Sequence, residues 1–196
     1  EEVAQQLNQE TKHECWYIVH AEPQGKIYKG LKEGKTKADL LVAIEKHEVD
    51  SCLESYQVQA GDFVYIPSGE VHSLGAGVVV FEIQQNSDTT YRLYDWGRVD
   101  ENGQSRELHL EQAIKSLEKQ QPAYPLIKQP TNQQLVSTSY FCVEHLSLIE
   151  NNQLKGEGNF QIIIIIDGML SDAKGSAYEA GQFLLLPSKA DALTAE

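Results

Sequence analysis

The chain has 196 residues and a mass of 22.0 kDa, which is enough for one large domain or two small ones. Hydrophobic side chains make up 41% of it and charged side chains 23%, as is typical of a globular protein and not of a disordered one. The net charge is 16 − 29 = −13, which argues against nucleic acids and anionic membrane surfaces as partners. The three cysteines form no Cys-x-x-Cys pair, and the first residues lack a signal-sequence pattern, so we predict a cytoplasmic protein.

Most of the first half of the chain has the composition of short β-strands. Aromatic and β-branched residues are concentrated in four segments that are bounded by glycine, proline or polar turns. These predicted strands are residues 15–19, 26–30, 63–66 and 78–83.

Two segments have helical spacing instead. Thr36 is a favourable N-cap with Asp39 three residues later, and it precedes an apolar stripe formed by Leu40, Leu41 and Ile44. Apolar residues recur at helical spacing across residues 110–119 as well. A further short helix is possible at residues 49–55.

The second half of the chain is again predicted to be strands, at residues 140–149, 160–166 and 183–186. The run of five isoleucines, 162–166, is typical of a fully buried strand and too short to cross a bilayer. The polar, proline-rich residues 120–125 are the best linker candidate. We therefore predict two domains, residues 1–121 and 126–196, in an all-β dominated chain with a few helices.

An internal repeat supports this division. Residues 61–72 follow the pattern G-x5-P-x-G-x2-H, and residues 181–191 follow G-x5-P-x-K-x2-D, which is 181 − 61 = 120 residues later. Repeated sequence usually means repeated structure. Because the second copy lacks the turn glycine and the histidine, we expect chemistry in the first copy only.

The first copy resembles a conserved motif of the cupin superfamily. Gly61 precedes a strand, Pro67 ends it and Gly69 permits a tight turn, so His72 begins the next strand, where its imidazole could ligate a metal. The resemblance implies tandem cupin-like double-stranded β-helix (jelly-roll) barrels.

Two further segments, residues 11–17 and 81–96, resemble the type I mannose-6-phosphate isomerases, particularly their short bacterial form. The resemblance is strong over residues 11–98 and weaker towards the end. It implies that Glu14 and His72 are ligands of one zinc ion and that Arg92 is catalytic, with Lys12 and Asp88 at further active-site positions. The implied reaction interconverts mannose 6-phosphate and fructose 6-phosphate through an enediol-type intermediate.

The same family uses a glutamine and a histidine from a Gln-x-His-Pro segment as its remaining zinc ligands. The 196 residues contain no such segment. We therefore expect a fragment that begins after the N-terminal part of the family and stops before its end, with weak zinc binding at best. A paralogue that has lost half of its metal site is the other possibility.

Each candidate residue also has an ordinary structural explanation. Glu14 and Arg92 could be solvated surface charges, Lys12 could pair with a neighbouring glutamate, and Asp88 could belong to a turn. A non-catalytic sugar-binding or regulatory cupin is thus the alternative function. A dioxygenase is less favoured because that class uses two closely spaced histidines. The expected partner is a small sugar phosphate, which Lys12 and Arg92 would attract despite the charge of −13.

Overall fold

The structure, a computed structural model, describes residues 2–6, 8–117, 124–156 and 158–196. It divides into two compact units, residues 1–145 and 146–196. Residues 120–123, which are most of the predicted linker at 120–125, lie outside the described residues. Residues 126–145, which we assigned to the second domain, group with the first unit because their apolar side chains pack against Phe63 and Tyr65.

Sheets dominate the first unit, as predicted. The three helices described there are α1 Glu2–Gln6, α2 Lys37–Glu45 and α3 Leu110–Ser116. Its described strands are β1 Glu14–Ala21, β2 Lys26–Leu31, β3 Leu53–Gln57, β4 Phe63–Ile66, β5 His72–Leu74, β6 Val78–Gln84, β7 Gln133–Ser137 and β8 Cys142–His145. They form antiparallel sheets in the orders β4-β1-β6, β3-β2-β5 and β7-β8.

Strand β1 separates two apolar clusters because successive side chains of a strand point to opposite faces. Trp16 and Ile18 pack with Ile27 of the β3-β2-β5 sheet and with Val64 of β4 in the inner core. Cys15 lies on the other face with Phe63 and Tyr65, and β7 and β8 pack against this outer cluster. The same alternation places Glu14 on the inner face.

Helix α2 begins where the sequence predicts. Oγ1 of Thr36 accepts a hydrogen bond from the Asp39 amide, and the Asp39 carboxylate accepts one from the Thr36 amide, which completes a capping box. Leu40 and Ala43 are buried, while Leu41 is only half-buried. The sequence analysis is therefore correct about the helix and its cap.

The second predicted helix, residues 49–55, is wrong beyond its first turn. A 3₁₀ turn covers Val49–Ser51, and strand β3 follows at Leu53. Leu53 is buried and pairs with Leu31 of β2, so sheet pairing overrides the local helical pattern. Helix α3 ends at Ser116, and residues 118–119 of its predicted range lie outside the described residues.

The second unit repeats the local geometry of the first. Its described strands are β9 Gln153–Leu154, β10 Gln161–Ile164, β11 Met169–Ser171, β12 Ala177–Glu179, β13 Phe183–Leu186 and β14 Leu193–Ala195. The strand orders are β12-β11-β14-β9 and β10-β13.

The sequence repeat corresponds to equivalent turns in the two units. Gly61 has φ +89° and Gly181 has φ +88°, a left-handed conformation that favours glycine. After each glycine a strand runs to a proline, and the Pro67 and Pro187 carbonyls accept hydrogen bonds from the amides three residues later. The 120-residue repeat is thus present in the backbone as well as in the sequence.

The prediction of a fully buried strand at residues 162–166 is wrong. Ile165 is buried, but Ile162 on β10 and its partner Leu185 on β13 are 65% and 67% exposed. Only one face of this two-stranded sheet packs on the core of the second unit, so the opposite face is left open there. In the part of the chain that the structure describes, no helix is long and apolar enough to cross a membrane.

The cysteines provide a simple test of this fold. Cys15 and Cys52 are buried whereas Cys142 is exposed, and burial raises the pKa of the Cys15 thiol to about 12. Because the thiolate is the reactive form, we expect only Cys142 to react rapidly with Ellman's reagent at about pH 8, and all three thiols to react in guanidinium. Cys142→Ser should abolish the rapid phase. Rapid reaction that persists in Cys142→Ser would contradict the burial of Cys15 on β1 or of Cys52 after the Val49–Ser51 turn.

Candidate functional site

Glu14 is the first residue of β1 and one of the most deeply buried charged groups, at 2% exposure. Its Oε2 lies 2.9 Å from Nζ of Lys12, and its Oε1 lies 3.0 Å from Nε2 of His72. Glu14 and His72, both predicted from the sequence, are far apart along the chain but are in direct contact in the structure. The ordinary explanation of Glu14 as a solvated carboxylate does not hold.

The turn after β4 delivers His72 to this position. Gly69 adopts φ +88°, the Glu70 amide donates to the Pro67 carbonyl at 3.2 Å, and His72 then begins β5. The imidazole makes an edge contact with the ring of Trp16, with centroids 5.5 Å apart. Turn, strand and ring contact together fix the direction of the imidazole.

The hydrogen bonds of His72 define its chemistry. Nδ1 lies 2.7 Å from the carbonyl oxygen of Glu70, and since that oxygen can only accept, Nδ1 must carry a hydrogen and donate it. A neutral ring would then direct the lone pair of Nε2 at the Glu14 carboxylate, so that two acceptors face each other at 3.0 Å. A cation between them, either a proton on Nε2 or a metal ion, removes this repulsion.

Electrostatics in the metal-free chain favour the proton. Burial alone would lower the pKa of His72, but the hydrogen bond with Glu14 and the charge of Glu14 outweigh it and raise that pKa above its ordinary 6.5. Burial likewise would raise the pKa of Glu14, but His72 and Lys12 hold it below its ordinary 4.5. At a pH between the pKa of Glu14 and the pKa of His72, the two side chains therefore form an ion pair.

The donor set fits part of a zinc site. An imidazole nitrogen and a carboxylate oxygen are common zinc ligands, and an imidazole whose other nitrogen donates to a backbone carbonyl is the usual arrangement around such metals. Among the described residues, however, no group of three or more His, Cys, Asp or Glu side chains could hold a metal ion. Glu14 and His72 are thus two donors where catalytic zinc sites in proteins have three.

Arg92 lies on the wall of the same cavity, which has a volume of about 320 Å³ and is also lined by Lys12, Glu14 and His72. Its Nη1 donates to the Glu107 carbonyl at 3.0 Å, which anchors the guanidinium without neutralising it. Asp88 differs, because it is exposed and is not among the residues that line the cavity. The structure therefore brings four of the five predicted residues together and leaves out Asp88.

Other cavity residues follow Arg92 directly and were not singled out by sequence. Asp95 is buried and accepts two hydrogen bonds from the guanidinium of Arg106 in a bidentate arrangement. Arg98 and Trp96 also line the cavity and are exposed at its rim. In the sequence, only their position pointed to these residues as part of the cavity, because residues 95–98 follow Arg92 closely along the chain. The pairing of Asp95 with Arg106 spans a loop, so no local periodicity reveals it.

The Asp95–Arg106 pair makes a pH-dependent prediction. The hydrogen bond from Arg106 holds the pKa of Asp95 below its ordinary 3.8. A lowered pKa in the folded state means that the pair stabilises the fold above pH 3.8 and that this stabilisation is lost as the pH falls through the lowered value. We expect Arg106→Gln to lower the urea midpoint by a constant amount at about pH 5 to 7, and by less below about pH 4. An equal reduction at every pH, or one that Lys174→Gln also produces, would contradict this.

Comparisons of sequence and structure identify proteins that are similar to this chain. No family model matches the chain. It is 38% identical over 187 residues to mannose-6-phosphate isomerase ManA of Bacillus subtilis, and 34% identical over 185 residues to mannose-6-phosphate isomerase of Streptococcus mutans. Each alignment covers 90% of this chain and 58% of the relative, so the chain spans somewhat more than half the length of these curated relatives.

The fold agrees with the sequence matches. The crystal structure of the mannose 6-phosphate isomerase from Bacillus subtilis superposes with a TM-score of 0.81 at 28% identity, over 100% of this chain and 65% of that one. The resemblance that the motifs around Glu14, His72 and Arg92 predict is thereby confirmed. Over nine-tenths of its length in sequence, and over all of it in fold, the chain is similar to these mannose-6-phosphate isomerases.

Proposed function

We propose that the protein carrying these residues is an aldose–ketose isomerase that interconverts mannose 6-phosphate and fructose 6-phosphate. The observation that supports this most is the contact of Glu14 with both His72 and Lys12 in the cavity that Arg92 also lines. The names of the sequence relatives supply the substrate pair. The geometry supplies the positive charge that such a reaction requires near the sugar oxygens.

The reaction moves a proton between C2 and C1 and another between the two sugar oxygens. Negative charge accumulates on oxygen in the enediol-type intermediate, and a fixed guanidinium such as Arg92 stabilises that charge. The Glu107 carbonyl holds Arg92 in place before substrate arrives, so little reorganisation is needed. Lys12, at 2.9 Å from Glu14, fixes that carboxylate and adds a compact positive charge beside it.

We also propose one zinc ion per chain, held in part by Oε1 of Glu14 and Nε2 of His72. When bound, zinc polarises the sugar oxygens and spreads the developing charge. The hydrogen bond from Nδ1 of His72 to Glu70 keeps Nε2 free to face the metal position. We assign Asp88 no role in the reaction, because it does not line the cavity.

The test is to incubate the full-length protein with mannose 6-phosphate and follow fructose 6-phosphate by NMR, with zinc and with a chelator. We expect turnover that zinc restores, and loss of both zinc and turnover in His72→Ala. His47→Ala is the matched control, because His47 is exposed and does not line the cavity. Normal zinc content and turnover in His72→Ala would refute the proposed site.

A non-catalytic sugar-binding or regulatory protein is the second candidate. It is favoured by one observation, that the described residues supply two metal donors and no third. Binding of mannose 6-phosphate in calorimetry without any conversion, by the zinc-loaded full-length protein, would select this function. Absence of nucleic-acid and membrane partners and a cytoplasmic location stay predictions.

A further inference from the structure

Three arginines from one short segment, Arg92, Arg98 and Arg106, line the cavity together with Lys12. Their charges are not equally available to a ligand. Arg106 is committed to the carboxylate of Asp95 by two hydrogen bonds. The ammonium of Lys12 lies 2.9 Å from Glu14, so its charge is largely used within the protein.

The remaining two arginines keep their charge. Arg92 donates to a neutral carbonyl, that of Glu107. Arg98 is exposed and forms no ion pair with any residue that the structure describes. The hydrogen bonds from Arg106 lower the pKa of the Asp95 carboxyl, and both remaining arginines are close enough to help lower it. Since both line one cavity, an anion there would meet two guanidinium groups that are not held in an ion pair by a described carboxylate.

The position of Arg98 is set by a turn that the surrounding structure holds in an unfavourable conformation. Trp96 has φ +50° and Gly97 has φ +66°, and the Arg98 amide donates to the Asp95 carbonyl at 2.9 Å. A left-handed conformation is rare for a bulky aromatic residue and persists only where neighbouring groups enforce it.

Both sides of this turn are anchored. Nε1 of Trp96 donates to Asp50 at 3.1 Å, and the other oxygen of Asp50 accepts the hydroxyl of Tyr28 at 2.9 Å. The Trp96 ring also makes an edge contact with Tyr94, with centroids 5.3 Å apart. On the other side, Arg106 fixes Asp95. Strain at a cavity rim that is secured from two directions is typical of a functional position.

We propose that the turn at residues 95–98 is the phosphate-recognition corner of the cavity and that Arg98, beside Arg92, binds the phosphoryl group of the substrate. This inference rests on the proposed isomerase function. A chain of net charge −13 repels a phosphate dianion, so the binding site needs positive charge that its own carboxylates do not neutralise. The planar guanidinium supplies paired donors that match phosphate oxygens.

The test compares mannose 6-phosphate with unphosphorylated mannose in the zinc-loaded full-length protein. We expect Arg98→Gln to lower kcat/KM for mannose 6-phosphate by about ten- to a hundredfold, as for the loss of a charge-assisted contact, and to change the value for mannose by less than about twofold. Arg98→Lys should fall between Arg98→Gln and the unsubstituted protein. Lys174→Gln removes an exposed charge that is not at the cavity and is the matched control. Equal losses for both sugars, or no loss for either, would overturn the inference.

A binding measurement separates this inference from the proposed function. Calorimetric titration with inorganic phosphate should show a Kd raised about tenfold or more in Arg98→Gln but not in Lys174→Gln. If phosphate binding depends on Arg98 while the unsubstituted protein converts no sugar, the isomerase proposal fails and phosphate recognition stands. If the protein isomerises mannose 6-phosphate and Arg98→Gln binds phosphate normally, Arg98 is not the recognition residue.

Discussion

Arg92→Gln is expected to lower kcat for the conversion of mannose 6-phosphate by about a hundred- to a thousandfold, as removal of one preorganised donor to a developing oxyanion does. Glutamine keeps a hydrogen-bond donor near the Glu107 carbonyl but loses the positive charge and the fork of donors. Because that charge acts mainly when the intermediate forms, the change in KM should be much smaller than the change in kcat. Steady-state kinetics on purified variants with equal zinc content provide the measurement.

Two companion variants make this result interpretable. Arg92→Lys keeps the charge but not the planar donors, so we expect partial activity. Lys174→Gln removes an exposed charge that does not line the cavity and should leave kcat unchanged. If Arg92→Gln keeps nearly full kcat, charge stabilisation by Arg92 is not part of the mechanism.

Phe63→Ala is expected to lower the free energy of unfolding by about 3 to 5 kcal/mol, the usual range for a large aromatic removed from a core. Phe63 is 1% exposed, lies opposite Tyr17 of β1 and exchanges backbone hydrogen bonds with Ile127. The substitution leaves a cavity between the β4-β1-β6 sheet and the segment packed on it. Urea unfolding followed by far-UV circular dichroism measures the effect.

Phe160→Ala is the matched control, since the same side chain is 65% exposed there. We expect a change of no more than about 0.5 kcal/mol, as for most surface substitutions. For Phe63→Ala, a loss as small as that of the control would show that the outer cluster around Phe63 is not a packed core. Such a result would also remove the reason for grouping residues 126–145 with the first unit.

Strands whose apolar run is bounded by glycine and proline were predictable to within a residue or two. Residues 63–66 and 183–186 match β4 and β13 without any shift, because Gly61 and Gly181 enforce the preceding turns and the prolines end both strands. Where no glycine or proline bounds the apolar run, the predicted ends of the strand are less accurate. Residues 140–149 were predicted as one strand, but β8 covers only Cys142–His145.

The failures have physical causes that a single sequence does not display. The isoleucine run 162–166 has no polar residue to show which face would be open, and only its pairing with β13 in a two-stranded sheet determines this. Residues 53–55 belong to the segment for which the sequence allows a short helix, and their pairing with β2 makes them part of a strand. Both outcomes depend on contacts with distant segments.

The candidate site was predictable where a motif fixed a direction. The Pro-x-Gly-x-x-His turn places His72 at the start of β5, whereas the pairing of His72 with Glu14 was predictable only from the family resemblance. Their contact at 3.0 Å depends on how two different sheets pack together. The roles of Arg98 and Arg106 depend instead on whether each one is paired with a carboxylate, as Arg106 is with Asp95. That information lies in loop conformation, which carries no periodic signal.

The fate of the C2 hydrogen of mannose 6-phosphate in D2O is the most direct test of the central claim. NMR of the zinc-loaded full-length protein should show fructose 6-phosphate that carries deuterium at C1, because an enediol-type intermediate exchanges its proton with solvent. The Arg92→Gln variant should form this product at about a hundredth of the rate or less. Absence of fructose 6-phosphate would contradict the proposed isomerase activity, product wholly free of deuterium would contradict an intermediate that exchanges its proton with solvent, and an unchanged rate in Arg92→Gln would contradict the assignment of the reaction to this cavity.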